Sequence, residues 1–333
     1  KDDLLEVGYW TGRDYDQWVC LGKTGAWNYH KGCRLQWLSP LECIYNNVEE
    51  GQLKATVVNI DTHEERTIEW PIDTVSPDGH EATSFSYERL QAMMPGYGYL
   101  YGDADSFMDE DVSEHTGLFL VDLCSQQRKL LLSLKKIADF KPENSMQGTF
   151  HFVTHTEFSH DGRYVSFLHR WYKGTFRRTR LVVYDRERDC MYVSPTTGMV
   201  SHYHWNRENG IIAYCRMENV DSHVYFSSPE MKAWKRCGYP TLNSDGHQHF
   251  IDNEWFLVDT YSDKWRHCKL YKVNCKTDEV VLLADVQSPK KFVAPDQQHW
   301  WKCDLHPRCD VKGSWVSFDS VHTGKRSLCI MSL

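Results

Sequence analysis

The stretch Ser201-His202-Tyr203-His204-Trp205 places a histidine three residues before a bulky side chain, and this pattern occurs four times in the chain. The other three pairs are His155 with Phe158, His247 with Phe250, and His306 with Cys309. Successive histidines of the pattern lie 47, 45 and 59 residues apart, and each pair is followed by a polar turn and a strand-like run. A repeat of this length with β-type sequence inside each unit is typical of the blades of a β-propeller. The four histidines are therefore expected at one structural position, facing a common channel.

Six segments have the features of a blade's first strand, and they begin near residues 37, 75, 155, 202, 247 and 306. The interval between the second and third is long enough for a further blade. The sequence therefore predicts an all-β protein, a β-propeller with six or seven four-stranded blades. The short strand-like runs near the N-terminus are expected to pair with the C-terminal strands and close the ring.

The chain contains no linker or low-complexity segment, which indicates a single β-propeller domain over residues 1–333. A long loop insertion is expected at about residues 93–115, where Pro95-Gly96-Tyr97-Gly98-Tyr99 precedes an acidic run. Long loops are usually functional or mobile. Two interpretations stay open here, a loop that holds a ligand over the channel mouth and a packed surface loop.

Turn chemistry supports the repeat. Ser76-Pro77-Asp78-Gly79 and Ser159-His160-Asp161-Gly162 occupy equivalent places after the first strand of their units. In such turns the aspartate accepts hydrogen bonds from nearby backbone, and glycine adopts a positive φ without strain. Both segments are therefore predicted to be tight turns between the first two strands of a blade.

Composition limits the class of partner. The 333 residues carry a formal net charge of −8, which argues against nucleic acid because a phosphate binder needs a basic face. Aromatic residues make up 14% of the chain, including 13 Trp, and such side chains suit half-buried strands and also stack on sugar rings. No apolar run reaches the roughly 18 residues that a membrane span needs.

The 12 cysteines include no CxxC pair, and Cys215, Cys268 and Cys329 fall inside strand-like runs. We interpret them as free thiols of a cytoplasmic protein, with disulfides or a zinc site as the alternative. The chain starts at Lys1, so secretion is not excluded. The sequence does not indicate an oligomeric state.

The last unit carries the residues that best fit a metal site. Asp304 and His306 alternate along a strand, so both side chains can face the channel. Gln298 lies shortly before them and adds an amide oxygen. Imidazole with carboxylate or amide oxygen suits a divalent ion such as manganese, with zinc or calcium as alternatives. For any one histidine the alternative is a structural hydrogen bond that ties blades together.

These openers resemble those of oligogalacturonate lyases and related propeller polysaccharide lyases, mainly over residues 150–333. The resemblance is carried by Thr179-Arg180-Leu181, Ser201-His202-Tyr203-His204-Trp205, Asp245-Gly246-His247 and Asp304-Leu305-His306-Pro307. It implies that His202 is the catalytic base, that Arg180 assists it, and that His247 and His306 hold manganese. The family pattern has a second histidine where this chain has Asp304, which can still ligate a metal. Gln298 is the candidate for the family's glutamine ligand.

The reaction that the resemblance implies is β-elimination on a uronic acid, so the expected substrate is an acidic oligo- or polysaccharide. We assign substrate binding to His155, Tyr203, His204 and Arg216, although surface ion pairs are the alternative for Arg180 and Arg216. Asp259 and Asp319, which recur after the second strands of their blades, are expected to make inter-strand or inter-blade hydrogen bonds. Two rival functions stay open, namely a non-catalytic propeller that binds a sugar or a protein, and a glycoside hydrolase using Asp304 and Glu157.

Overall fold

Consecutive antiparallel sheets make up most of the chain in this computed structural model, which describes residues 3–103, 105–294 and 302–333. Each sheet is built from strands that follow one another directly in the sequence. The chain opens with a two-stranded sheet, β1 (Leu5–Thr11) and β2 (Gln17–Thr24).

Six larger sheets follow, each with its strands hydrogen-bonded in chain order. The first three sheets consist of β3–β6 (Gln36–Ser39, Glu42–Glu49, Gln52–Asn59, Glu65–Ile68), β7–β9 (Glu81–Ser84, Gly117–Asp122, Arg128–Ser133) and β10–β13 (His151–Phe158, Tyr164–Lys173, Phe176–Asp185, Cys190–Val193). The last three consist of β14–β17 (Val200–Trp205, Ile211–Met217, Val220–Phe226, Trp234–Arg236), β18–β21 (Gln248–Phe250, Trp255–Asp259, His267–Asn274, Val280–Gln287) and β22–β24 (Arg308–Cys309, Trp315–Ser320, Ser327–Ser332).

Helices are short and lie in the connections. In the part of the chain that the structure describes, they are α1 (Tyr87–Met93), α2 (Leu134–Asp139) and two single 3₁₀ turns, Asn144–Met146 and Lys290–Phe292. Ser86 caps α1 by accepting a hydrogen bond from the backbone N–H of Arg89, and Ser133 caps α2 in the same way from Lys136.

The six larger sheets among the described residues confirm the predicted all-β propeller, and they give six blades where the sequence allowed six or seven. Four of these sheets have the predicted four strands. Each predicted opening segment begins one sheet, although in the second sheet it is reduced to a single bridge between Val75 and Ala82. The predicted pairing of N- and C-terminal strands is not what the described strands form. β1 pairs with β2, and β22–β24 make a three-stranded sheet of their own. The strands Leu5–Thr11 and Gln17–Thr24 pair with each other along their full length.

Contacts divide the chain into two compact units, Lys1–Thr156 with Trp171–Thr175, and Glu157–Arg170 with Phe176–Leu333. The expectation of a single domain stays a prediction. In the first unit, one core cluster joins the sheet of β3–β6 to the next through residues such as Ile44, Ile72 and Val121. In a second cluster, Val7 and Leu21 of the hairpin pack against the sheet of β3–β6.

In the second unit, the apolar faces of successive sheets pack on one another. Trp205, at the end of β14, is 2% exposed and stacks on Tyr164 of β11 with ring centroids 5.9 Å apart. Its indole N–H donates to Ser166 Oγ over 2.7 Å, so the buried polar atom of this large side chain is satisfied. Phe250 occupies the same register position in the next sheet and is 6% exposed. The aromatic member of the sequence pattern is therefore a core residue, which explains its recurrence.

The predicted turns are confirmed. In Ser76–Gly79 the Ser76 hydroxyl donates to Asp78 over 2.6 Å and accepts from the backbone N–H of Glu81, while Gly79 has a φ of +74°. The turn Ser159–Gly162 repeats these contacts, with Gly162 at a φ of +70°.

The loop after α1 is packed rather than open. Tyr99 is 2% exposed, and its hydroxyl accepts from the Asn46 side-chain amide over 3.1 Å. The ring of Tyr97 stacks on His30 with centroids 4.1 Å apart. A Cβ at Gly98 would lie 2.2 Å from the carbonyl oxygen of Tyr87, so only glycine fits this close approach. Of the two interpretations, these contacts support a packed surface loop.

All twelve cysteines are free, as expected, and Cys215 and Cys268 are buried in strands. Among the described residues, no helix has the length and apolarity needed to span a bilayer.

One buried carboxylate organises the first unit. Asp73 is fully buried, and its Oδ1 lies 2.6 Å from Lys31 Nζ and 3.1 Å from Arg34 Nε. Its Oδ2 accepts from the backbone N–H and the hydroxyl of Thr156. Burial acts to raise the pKa of Asp73, but the two cations and these hydrogen bonds outweigh it and hold the pKa below its usual range.

We expect Asp73→Asn to destabilise the protein by about 3–5 kcal/mol, because the ammonium of Lys31 loses its carboxylate at a buried position. The measurement is urea unfolding followed by tryptophan fluorescence. Since the pKa of Asp73 is lowered in the folded state, its contribution is present above the unfolded-state pKa of about 3.9 and fades as the pH falls below that value. The gap between wild type and variant should therefore narrow at acidic pH. Glu6→Gln, which breaks the exposed ion pair with Lys23, is the control and should leave the urea midpoint unchanged. Equal urea midpoints for the two variants would contradict the stabilising role of Asp73.

Candidate metal and acid–base site

Three of the four predicted histidines meet in the second unit. His202 lies on β14, His247 directly precedes β18, and His306 lies two residues before β22. The ring of His247 is central, with its centroid 4.2 Å from that of His202 and 3.8 Å from that of His306. The repeat thus places the first-strand histidines of three successive sheets side by side. We call His202, His247 and His306 the imidazole row.

Asp259 holds two members of the row. It is the last residue of β19 and is fully buried. Its carboxylate accepts from the backbone N–H and the ring Nδ1 of His247, and over 2.9 Å from the backbone N–H of His306. His306 has a φ of +44°, a conformation that side-chain-bearing residues rarely adopt, and this hydrogen bond helps to fix it. The inter-blade hydrogen bonds expected for Asp259 are therefore present.

The carboxylate also sets the charge of the row. Burial would lower the pKa of His247, but Asp259 outweighs it and raises that pKa. Burial and then repulsion from His247 push the pKa of His306 well below its usual value. In its neutral form, His247 donates Nδ1–H to Asp259 and carries its lone pair on Nε2, which is the arrangement that carboxylates commonly impose on ligating histidines.

Asp304 joins the row as an oxygen donor. One ligand atom from each of His247, Asp304 and His306 lies within 4.8 Å of the other two. Asp304 is 7% exposed, and its Oδ2 is 2.9 Å from Lys302 Nζ, which neutralises the carboxylate. Two imidazoles and one carboxylate fit manganese or zinc, whereas calcium prefers oxygen ligands throughout. Gln298, the fourth predicted ligand, lies outside the described residues.

His202 has a carboxylate partner of its own. Its Nδ1 is 3.1 Å from Asp245 Oδ1, and Ser201 Oγ donates to Asp245 Oδ2 over 2.6 Å. Burial lowers the pKa of His202, and the neighbouring His247 lowers it further. The pKa of Asp245 is lowered because its contacts with His202 and Ser201 outweigh its burial. His202 is thus a neutral imidazole oriented by an ionised carboxylate, as a general base requires.

The remaining predicted residues take varied positions. Arg180 is 2% exposed on β12, and its Nε donates to His169 Nδ1 over 3.0 Å. Arg216 forms a two-pronged ion pair with Asp221 across the β15–β16 hairpin, over 2.6 and 2.8 Å, which is the surface pair held open as its alternative.

Tyr203, which the sequence assigns to substrate binding, lies on the opposite face of β14 from His202. It is 5% exposed and belongs to the hydrophobic core between two sheets, because adjacent strand residues point to opposite faces. His204 shares the face of His202, and its role in binding stays a prediction. His155 belongs to the first unit, where its Nδ1 is 3.0 Å from Thr154 Oγ1 and its backbone φ is +53°.

Sequence reasoning missed Asp245 as the partner of His202. The signal was available as a repeated Asp-x-His pattern, since Asp245-Gly246-His247 and Asp304-Leu305-His306 open consecutive sheets. One aspartate of this pattern turns to the imidazole of the preceding sheet, and the other joins the metal donors.

No protein-family model and no curated protein matches the chain. Among solved structures, the chain is similar to the tricorn protease (TM-score 0.56, 9% identity), with 90% of this chain aligned to 29% of that one. An oligogalacturonate lyase in complex with manganese aligns at a TM-score of 0.51 and 10% identity, over 92% of this chain and 94% of the other. The β-propeller domain of the trilobed protease from Pyrococcus furiosus aligns at 0.50 and 14%, over 89% and 80%. These similarities show the fold, a β-propeller, which hosts both a lyase and peptidase chains.

We expect Asp259→Asn to lower the free energy of unfolding by at least about 2 kcal/mol, because an amide cannot accept all the hydrogen bonds that the buried carboxylate accepts. The tautomer of His247, measured by ¹⁵N NMR of the imidazoles, should shift as well. Asp319→Asn is the matched control, since Asp319 lies near the end of β23 and contacts the exposed Arg326 at 3.4 Å. An Asp259→Asn variant with unchanged stability and tautomer would rule out this role.

Proposed function

We propose that this propeller is a metal-dependent lyase that cleaves a uronic-acid-containing glycan by β-elimination. The observation that carries the proposal is the imidazole row. One end, with Asp304, forms a donor set for a divalent ion, and the other end is an imidazole paired with a carboxylate. The fold is shared with an oligogalacturonate lyase in complex with manganese, which supports this function.

The residues fit manganese or zinc. His247 and His306 would supply ring nitrogens and Asp304 a carboxylate oxygen, with Lys302 giving up its contact to Asp304. A bound divalent ion would neutralise the substrate carboxylate and so increase the acidity of the neighbouring C5 proton. Asp259 would not bind the metal itself; its hydrogen bonds fix the orientation of the His247 ring and the backbone conformation of His306.

His202 would perform the proton transfer. With its Nδ1–H donated to Asp245, the ring carries its lone pair on Nε2, and its lowered pKa keeps it uncharged near neutrality. Nε2 takes the C5 proton, the C–H electron pair forms the C4–C5 double bond, and the C4–O bond breaks. The departing oxygen takes a proton from solvent. Asp245 is a positioning residue in this scheme, and Arg180 is proposed to assist from its buried site on β12.

The carboxylates around the row favour a lyase over a hydrolase. Asp245 and Asp259 are each bound to an imidazole, and Asp304 is bound to a lysine. A glycoside hydrolase needs two carboxyl groups that face one glycosidic bond, one of them protonated. Lowered pKa values for Asp245 and Asp259 suit orienting groups rather than a general acid.

Metal content tests the donor set. We expect the purified protein to retain manganese or zinc after dialysis, and Asp304→Asn and His306→Gln each to weaken its binding at least about tenfold, since each removes a ligand. The measurement is elemental analysis combined with calorimetric titration of Mn²⁺. His267→Gln is the matched control, because His267 forms a histidine–aspartate pair with Asp285 outside the row. If the parent protein and both ligand variants bind Mn²⁺ with the same low affinity, these residues do not form a metal site.

Activity tests the base. Incubation with a panel of uronate polymers should produce the ultraviolet absorbance of an unsaturated uronate. His202→Ala should lower the rate by about 10²–10⁴-fold without loss of metal, because it removes the group that accepts the C5 proton. Asp245→Asn should lower kcat and change the pH profile, since the amide no longer favours the base tautomer of His202. Full activity in His202→Ala would remove it as base, and new reducing ends without absorbance would indicate hydrolysis instead.

A further inference from the structure

The side chain of Lys302 lies at the metal donors, between a carboxylate and an aromatic ring. Its Nζ is 2.9 Å from Asp304 Oδ2 and 3.7 Å from the ring centroid of Tyr261. The ring of Tyr261 in turn meets that of His247 edge-on, with centroids 6.0 Å apart. The side chain of Lys302 is 35% exposed and that of Asp304 is 10% exposed, so the ammonium lies on the solvent side of the donors.

The ammonium of Lys302 and a divalent ion would compete for Asp304. Both need lone pairs of the same carboxylate, and two cations held against it would repel each other. Coordination by Asp304 therefore requires that its ion pair with Lys302 be broken, which lowers the affinity of the donors for a metal. An ion pair that is partly exposed contributes modestly to stability, so the loss of metal affinity is expected to be a few-fold.

Tyr261 offers Lys302 a second partner once Asp304 has a metal to bind. The ammonium already lies over the face of the phenol ring, at a distance where cation–π attraction is effective. After leaving Asp304, Lys302 can therefore remain on this ring, beside the imidazole of His247. The exposed side of the site would then have a divalent ion and an ammonium group around the single carboxylate of the donor set. This excess of positive charge favours an anionic ligand.

We propose that Lys302 binds the carboxylate of the substrate and so determines specificity for an acidic over a neutral sugar. Its ammonium pairs with Asp304 in the metal-free protein and with the substrate carboxylate in the metal-loaded protein. The identity of the anion rests on the proposed function, whereas the competition with the metal rests on the contacts of Lys302 alone. Lysine suits such an exchange of partners, because its flexible stem carries a compact charge that needs no fixed geometry.

Metal affinity gives the first readout, by calorimetric titration of Mn²⁺ into the full chain. Lys302→Met removes the charge and should bind Mn²⁺ about fivefold more tightly than the parent, because Asp304 no longer has an ammonium partner. Lys302→Arg keeps the charge and should stay close to the parent. Lys272→Met is the matched control, since Lys272 lies over Trp255 and not at the donors, and its affinity should equal that of the parent. Unchanged or weaker Mn²⁺ binding in Lys302→Met would overturn the competition.

Ligand affinity gives the second readout, in Mn²⁺-saturated proteins that also carry His202→Ala to prevent turnover. The probes are digalacturonate and a glucuronate disaccharide, with a galactose disaccharide as the neutral comparison. Lys302→Met should weaken binding of the better acidic probe about tenfold and leave the neutral one unchanged, and Lys302→Arg should restore most of the loss. A purely structural role would not tighten metal binding while it weakens acid binding. The proposal fails if neither acid binds more tightly than the neutral sugar, or if acid binding is the same without Lys302.

The outcome is separable from that of the proposed function. If both affinities shift as expected while no uronate polymer gives an unsaturated product, the lyase is wrong and the role of Lys302 stands. If the parent forms the unsaturated product and Lys302→Met changes neither affinity, only the role of Lys302 is wrong.

Discussion

The candidate site depends on the hydrogen bonds that the Asp259 carboxylate accepts from His247 and His306. The carboxylate is fully buried, yet it stays ionised, because one histidine ring and two backbone N–H groups surround it. By binding both His247 and His306, it joins the openings of two successive sheets. A buried anion is costly unless it is satisfied in this way, so the position of each imidazole is tied to the stability of the unit. The same contact leaves His247 with the tautomer that a metal ligand needs.

The repeated His-x-x-bulky pattern explains why His202, His247 and His306 lie side by side. The sheets of β14–β17 and β18–β21 each begin with a short strand, and its bulky residue, Trp205 or Phe250, is buried in the core three positions after the histidine. The core therefore fixes the register, and the period of two then decides which side chains share the histidine's face. His202 with His204, and His247 with His249, are consequences of that period.

Much of this arrangement was predictable from the sequence, and the exceptions have physical reasons. The six opening segments, the serine–aspartate–glycine turns and the meeting of His202, His247 and His306 follow from local patterns. Asp245 did not, because it is 43 residues from His202 and its role depends on which sheets are neighbours. Tyr203, assigned to substrate binding, lies in the core because adjacent residues of a strand point to opposite faces. The pairing of N- and C-terminal strands was predicted because many propellers close their ring in this way. In the structure, the two strands of the N-terminal hairpin pair with each other instead.

The proposed metal site would hold one divalent ion jointly on His247, Asp304 and His306. A crystal structure of the protein grown with Mn²⁺, with diffraction recorded at the manganese absorption edge, tests it most directly. We expect one strong anomalous peak within bonding distance of a ring nitrogen of both histidines and of the Asp304 carboxylate, with Lys302 displaced. An anomalous map without a peak at the row, with Lys302 still bound to Asp304 at saturating manganese, would contradict it.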